Sequence, residues 1–302
     1  MKNSLSTEQA ASCYRGIDEW TDTQVLVAIL AAQEKSIKSI YDVIPVMAQA
    51  ASQSAQRLKD AALGGRIIYI GAGTPARLAM QDGTELPPTF GWPSNRLAYV
   101  MAGGDSAMTR AVEGAEDDVQ AAEDAIKALN ITAHDVCIAI SASGSTPFTV
   151  AACNAARAAG ALTIGISSNN GSKLLTSAEF GIFTDSGPEP VAGSTRMNAG
   201  TAQSVALKMI STLMMIRLGH VYDGYMVDVE QTNAKLKIRA ELMVQDITGC
   251  SPTEAKDALQ SANGSVKLAS LIATGGMSAD EGRNLLARSD NNLRTALRTL
   301  RP

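Results

Sequence analysis

The 302-residue chain is about two domains long on a prior of roughly 150 residues each, which excludes a mini-protein and leaves room for a sizeable core. Lys and Arg number 26 against 30 Asp and Glu, a formal net charge of −4, so the basic excess needed to bind a phosphate backbone is missing and nucleic acid is not an expected partner. Hydrophobic residues at 45% with charged residues at 19% exclude disorder, while aromatics at 4% supply no stacking platform and fit a small polar ligand better.

From Met1 to Cys13 the chain is polar, without a basic stretch leading into an apolar run, and no later segment holds about 18 uninterrupted apolar residues. No membrane segment is expected, and the expected location is the cytoplasm. Thr21 and Gln24 form a capping-box pattern ahead of Val25, Ile29, Ala32 and Ile37 at near-helical spacing, and a second helix is expected from Val43 to Leu58. After Gly64-Gly65 the pattern changes to short apolar runs: Ile67 to Ile70, Ala98 to Met101, Val136 to Ile140, Leu162 to Ile166 and Phe180 to Phe183. Helical stretches such as Asp117 to Leu129 and Pro147 to Ala158 lie between them. That alternation predicts an α/β fold with a doubly wound, five-stranded parallel sheet covered on both faces.

From Ala199 to Leu218 runs a long helix, apolar on too many sides to face solvent, to be buried in the core or against a second subunit. Beyond Leu236 strand patterns disappear, and capping boxes at Ser251 to Glu254 and Ser278 to Glu281 predict short helices in a compact bundle. The expected organisation is N-terminal helices over residues 1–62, a ligand-binding α/β domain over 63–240 and a helical bundle over 241–302. Cys13, Cys137, Cys153 and Cys250 are too scattered for a metal or disulfide framework and read as free thiols, and only His134 and His220 could join a metal site, so no metal is expected.

In an open parallel sheet, ligands bind beyond the carboxyl ends of the strands, where loops enter helices with unpaired N–H groups. After Ile70 comes Gly71-Ala72-Gly73-Thr74-Pro75-Ala76-Arg77, in which glycines permit close backbone approach and Arg77 offers a cation; the third glycine of a dinucleotide fingerprint is absent. After Ile140 comes Ser141-Ala142-Ser143-Gly144-Ser145-Thr146-Pro147, four hydroxyls in six residues, which can donate to phosphate oxygens. Hydroxyl residues also cap helices and close turns routinely, and for a third loop, Gly165 to Asn170, a turn explains the composition equally well. Glu85 precedes Leu86-Pro87-Pro88, whose rings fix the backbone that presents it; a solvated loop acid is the plainer alternative. Glu116 stands at a helix start, where the macrodipole alone accounts for an acid.

Several motifs together are similar to the N-acetylmuramic acid 6-phosphate etherase family of the sugar isomerase (SIS) domain superfamily. They are Gly71-Ala72-Gly73-Thr74 with Arg77-Leu78, Glu85-Leu86-Pro87-Pro88-Thr89, Ala111-Val112-Glu113-Gly114-Ala115-Glu116-Asp117, Ser143-Gly144 with Thr146-Pro147, Gly193-Ser194-Thr195-Arg196-Met197, Ala199-Gly200-Thr201-Ala202-Gln203, and Met226-Val227-Asp228-Val229 with Thr232-Asn233. The resemblance spans nearly the whole chain. It implies a flavodoxin-like SIS sheet, a small C-terminal helical domain, and a homodimer with sites near the subunit interface. It also implies a metal- and cofactor-free lyase that removes the D-lactyl ether from N-acetylmuramate 6-phosphate, leaving N-acetylglucosamine 6-phosphate, in cell-wall amino-sugar recycling.

By the same resemblance Glu85 is the principal acid/base and Glu116 the second catalytic glutamate; the two loops and the matched motifs together make Gly73, Thr74, Arg77, Ser141, Ser143, Gly144, Ser145, Thr146, Ser194 and Thr195 the expected sugar-phosphate-binding residues. The chain departs from the family at Pro75 and Ala76, where serine and glycine are usual, at Ser145, where arginine is usual, and at Asn198 and Ser204, where lysines are usual. Those departures leave a related sugar phosphate open as the substrate and favour one alternative, a non-catalytic sugar-phosphate sensor of the glucokinase regulatory protein type; an SIS aldose–ketose isomerase using the same enolisation step is the other. His134 and His220 lie outside any catalytic motif.

Overall fold

The structure, a computed structural model, describes residues 5–300; the first four residues of the polar N-terminal stretch lie outside them. Two compact units are present. Residues up to Thr84 with Asn95–Leu213 form the first, and Glu85–Ser94 with the chain from Met214 onward form the second. The second unit therefore starts inside the long helix, earlier than residue 241, and also claims a ten-residue piece of the N-terminal half.

In the first unit, β1 (Ile67–Gly71), β2 (Leu97–Met101), β3 (Val136–Ile140), β4 (Leu162–Ser167) and β5 (Phe180–Phe183) pair in parallel in the order β2-β1-β3-β4-β5. The α/β reading holds, with each strand within a residue of its apolar run. Near-continuous Ile, Val and Ala suit strands buried on both faces, and β1, β3 and β4 are buried along their full length.

The helices of this unit are α1 (Asp22–Lys38), α2 (Ile44–Leu58), α3 (Gly73–Thr84), and then, beyond the five-residue α4 (Leu86–Phe90) of the second unit, α5 (Val119–Ala128), α6 (Pro147–Ala158), α7 (Lys173–Ser177) and α8 (Asn198–Arg217), the last of which passes into the second unit at Met214. Alternation along the strands sends Ile68, Ile70, Cys137 and Ala139 to one face, where they pack with Ala122 and Ile126 of α5 and Phe148, Ala152 and Cys153 of α6. Small residues on α6 let it approach the sheet closely. Cys153 sits in this layer, and burial pushes its thiol up to about 12, so it is an inert apolar filler.

The Thr21–Gln24 capping box forms: Thr21 N–H donates to Gln24 Oε1 at 3.0 Å, and Gln24 N–H to Thr21 Oγ1 at 3.4 Å. On α1, Leu26, Val27 and Leu30 are exposed, each above 60%. Along α8, Ala202, Ala206, Leu207 and Ile210 are buried within this single chain, leaving Met209 and Ile216 half exposed.

In the second unit a hairpin of β6 (Val221–Tyr222) and β7 (Tyr225–Met226) turns through Asp223 and Gly224, both at positive φ as a two-residue hairpin loop requires. There follow α9 (Ala234–Thr248), α10 (Pro252–Ser261), α11 (Val266–Gly275), α12 (Ala279–Arg288) and α13 (Leu293–Leu300). Both expected capping boxes, at Ser251 and Ser278, are made. Met243, Val244, Leu268, Leu271 and Leu293 form the bundle core.

The piece Glu85–Ser94 is tied to this bundle around Asp228. Lys267 Nζ lies 2.5 Å from Asp228 Oδ2 and donates to the Asn291 carbonyl at 3.0 Å, and His220 Nδ1 lies 2.9 Å from the same carboxylate oxygen. Asp228 turns its carbonyl to Gly91, where a Cβ would come within 2.6 Å of it, and buried Trp92 meets the His220 ring edge-on at 6.0 Å. Lys267 is buried and Asp228 partly exposed, and a lysine buried in this way is costly to leave without its partner.

Candidate active site

Strand order reverses between β1 and β3, so the loops leaving their carboxyl ends diverge and open a crevice. A cavity of about 460 Å³ occupies it, lined by Gly73, Thr74, Pro75, Arg77, Glu116, Ser141, Ser143, Thr146 and Thr195 among the residues anticipated from sequence, and by Glu8 and Arg110 in addition.

The β1 loop passes directly into α3. Gly73 sits at φ +56°, and a Cβ on it would lie 3.0 Å from Glu116 Oε1. Pro75 falls in the first turn of α3, where an N–H has no partner within the helix, so the helix tolerates it; the consequence is one backbone donor fewer at the cavity. Arg77 lines the cavity, but its guanidinium is already committed: Nε and Nη2 donate to the Ala107 carbonyl at 3.1 and 2.9 Å. It holds the 105–111 loop in place. Arg110, on that loop, is exposed and lines the same cavity.

The β3 loop forms a hydroxyl cluster. Ser141 Oγ is 2.9 Å from Thr146 Oγ1 and 3.3 Å from Ser143 Oγ, and it accepts from Gly144 N–H at 3.1 Å. Gly144 has φ +64° and its missing Cβ would collide with Ser172 Oγ and Ser167 Oγ, so only glycine lets the β3 and β4 loops meet here. Three hydroxyls converging at a strand end, beside a helix N-terminus at Pro147, are suited to accept and donate around an anion.

Glu116 is exposed, held in a tight turn over Ala115–Asp117 that follows Gly114 at φ +74°. Glu85 belongs to the second unit, exposed ahead of α4, and is not among the residues that line this cavity. Neither are Gly144, Ser145 and Ser194. The Ser145 side chain lines a separate hollow with Val119, Glu123 and Lys173.

Of the departures from the family pattern, only Pro75 and Ala76 belong to the β1 loop, and of all five only Pro75 reaches the cavity. Asn198 is buried at the start of α8, where the Glu189 carboxylate accepts from the N–H groups of Asn198 and Ala199 at 2.8 and 2.9 Å. Burial of Glu189 outweighs those hydrogen bonds and raises its pKa above the ordinary carboxylate value. Ser204 accepts from Lys208 Nζ at 2.8 Å, which keeps a cation one turn from the position where the family has lysine. Among the described residues no group of three or more His, Cys, Asp or Glu is arranged to hold a metal ion.

Two charged residues of the cavity were not anticipated from the sequence. Arg110 directly precedes the motif that carries Glu116, which was the available signal. Glu8 had none, because what brings it to the cavity is hydrogen bonding across some 160 residues of chain.

The chain matches the family model of the glucokinase regulatory protein N-terminal SIS domain over residues 46–157 and that of the SIS domain over 112–213. It is 40% identical over 297 residues to an N-acetylmuramic acid 6-phosphate etherase of Deinococcus radiodurans, covering 98% of this chain and 96% of the relative. An etherase of Serratia proteamaculans is 40% identical over 293 residues, covering 97% and 98% respectively. Among solved structures, a Bacteroides fragilis protein described as a phosphosugar isomerase involved in capsule formation superposes with a TM-score of 0.52 at 17% identity, covering 68% of this chain and 95% of that one, a likeness of fold alone. Identity of this degree along almost the entire length of both relatives places the chain in the N-acetylmuramic acid 6-phosphate etherase family.

Proposed function

We propose that the cavity between the β1 and β3 loops binds N-acetylmuramate 6-phosphate and that Glu116 and Glu85 carry the acid/base steps by which the D-lactyl ether is cleaved. The chain is a carbon–oxygen lyase of the etherase family, and the regulator and isomerase alternatives are not favoured by relatives that carry the etherase name across nearly their whole length. The observation that carries the site assignment is the joint placement of the Ser141, Ser143 and Thr146 hydroxyls, Arg110 and the Glu116 carboxylate on one cavity.

The hydroxyl cluster and the first turn of α6 hold the 6-phosphate, and Arg110 supplies the opposite charge. With the sugar ring open, the C1 aldehyde acidifies the C2 proton. One carboxylate takes that proton, the C2–C3 double bond forms as the C3–O bond breaks, and the departing lactate oxygen receives a proton. Water then adds at C3 and a proton returns to C2, giving N-acetylglucosamine 6-phosphate and D-lactate without net redox change. The family resemblance gives Glu85 the C2 proton and Glu116 the second proton-transfer role.

The working form is a homodimer of this chain. Exposed Leu26, Val27 and Leu30 on α1 favour it, since apolar side chains of that size rarely cluster on a monomer surface without a partner.

The deciding experiment incubates purified protein with N-acetylmuramate 6-phosphate and follows D-lactate. Release by wild type, with Glu85→Ala and Glu116→Gln each lowering kcat by about a hundredfold or more while the fold is retained, supports the assignment. Unchanged turnover in either variant removes that residue from the mechanism.

A further inference from the structure

The chain's N-terminal strap is built into the cavity wall, and it delivers a second carboxylate beside Glu116. Ser6 N–H and Oγ donate to Asn169 Oδ1 at 2.8 and 3.0 Å, and Asn169 Nδ2 donates in turn to Thr7 Oγ1 at 3.1 Å and to the Ala142 carbonyl at 2.9 Å. Thr7 is completely buried, and its own carbonyl accepts from Gly193 N–H at 3.1 Å. One amide side chain thus clips the strap to both the β3 and the β4 loops. The β4 loop, ambiguous as sequence, serves as the anchor.

The next residue, Glu8, lies on the cavity with its carboxylate over the bare Cα of Gly193, where a Cβ would stand 3.1 Å from Oε2. No side chain among the described residues neutralises it. An unpaired carboxylate costs affinity for an anionic ligand unless it accepts hydrogen bonds from that ligand. A sugar phosphate offers such donors away from its phosphate: hydroxyl groups and, in an amino sugar, the acetamido N–H.

Resting on the assignment of this cavity to a sugar phosphate, the geometry points to Glu8 as a substrate-binding residue that accepts hydrogen bonds from the hydroxyl or acetamido donors of the sugar, with Asn169 as the residue that positions it. Glu8 is a specificity determinant. It penalises bare anions and rewards ligands whose neutral body carries donors.

The two roles have opposite signs, which makes them separable. N-acetylglucosamine 6-phosphate and inorganic phosphate are titrated calorimetrically into wild type, Glu8→Gln, Glu8→Ala, Asn169→Ala and the Glu8→Ala/Asn169→Ala double variant, with D-lactate release from N-acetylmuramate 6-phosphate measured in parallel. Both Glu8 variants are expected to weaken the sugar phosphate at least fivefold while phosphate binds equally or more tightly. Asn169→Ala is expected to reproduce that loss, and the double variant to be no weaker than Glu8→Ala alone, a non-additivity that general destabilisation does not give. Sugar-phosphate affinity that stays constant or improves in step with phosphate overturns the proposal, as does a wild type that binds the sugar phosphate no better than phosphate. Absence of lactate from wild type, with the affinity pattern intact, overturns the etherase assignment and leaves Glu8 its role.

Discussion

Glu116 Oε1 lies directly over the α-carbon of Gly73, so close that a methyl group there would come within 3.0 Å of it. The relationship couples the carboxylate to the turn that opens α3. Gly73→Ala would add a Cβ at φ +56°, which costs about 1 kcal/mol in backbone strain, and would push the carboxylate aside. If Glu116 has the proton-transfer role proposed for it, kcat is expected to fall by about tenfold or more, with only a few degrees lost in Tm. Steady-state kinetics beside a melting curve checks this.

Ser143 and Thr146 face the cavity from one hydroxyl cluster whose hub is Ser141. Replacing the pair by Ala and Val is expected to raise KM for N-acetylmuramate 6-phosphate by about one to two orders of magnitude, from hydrogen bonds to a charged group worth roughly 1.5 to 3 kcal/mol each, with kcat changed much less. An unchanged KM would remove the cluster from phosphate binding.

The two arginines should part company. Arg77 is spent on the Ala107 carbonyl, so Arg77→Ala is expected to loosen the 105–111 loop and lower Tm as well as activity. Arg110 is exposed at the cavity, and Arg110→Ala is expected to raise KM by about tenfold at unchanged Tm. Equal effects of the two on Tm would contradict the division of labour.

Acid stability has an identifiable contributor in Asp135. Burial acts to raise its pKa, but hydrogen bonds from the Arg66 side chain and from the N–H groups of Thr132 and Arg66 outweigh it, and the net shift is downward from the ordinary 3.8. A carboxylate depressed in the folded state stabilises the fold above its unfolded pKa, and that stability drains away as pH falls through the folded value. Asp135→Asn is therefore expected to cost about 2 kcal/mol at pH 7 and to narrow its gap to wild type below about pH 4, read from thermal melts across pH.

Leu26 and Leu30 on the exposed side of α1 give the dimer its test. Light scattering is expected to return twice the chain mass for wild type and a monomer for Leu30→Glu, since a buried charge without a partner opposes association. A concentration-independent monomer mass for wild type would sink the dimer.

Where chemistry depends on residues adjacent in sequence, it was readable. The β1 and β3 loops follow from strand–helix alternation, and their glycines and hydroxyls are local composition. What was not readable depends on long-range contact. Ser145 sits between two residues of the hydroxyl cluster, yet the turn at Gly144 places its side chain on another hollow. Arg77 offered a cation on paper, but a carbonyl thirty residues away had taken it. His220, a lone histidine in the sequence, has an orienting carboxylate in Asp228, and the same residue explains why Glu85–Ser94 groups with the C-terminal bundle. Asn198 and Ser204, alarming as lost lysines, lie off the cavity lining.

The link between Asp228 and Gly91 also orders events during synthesis. Leu86 and Trp92, each 2% exposed in the finished protein, emerge from the ribosome long before His220, Asp228 and Lys267 exist. Until then Trp92 lacks the His220 ring it meets, and contacts of such wide sequence separation form late. A chain stopped at Leu213 would therefore carry the Glu85–Ser94 segment without the unit it groups with, and Trp92 without the His220 ring it packs on.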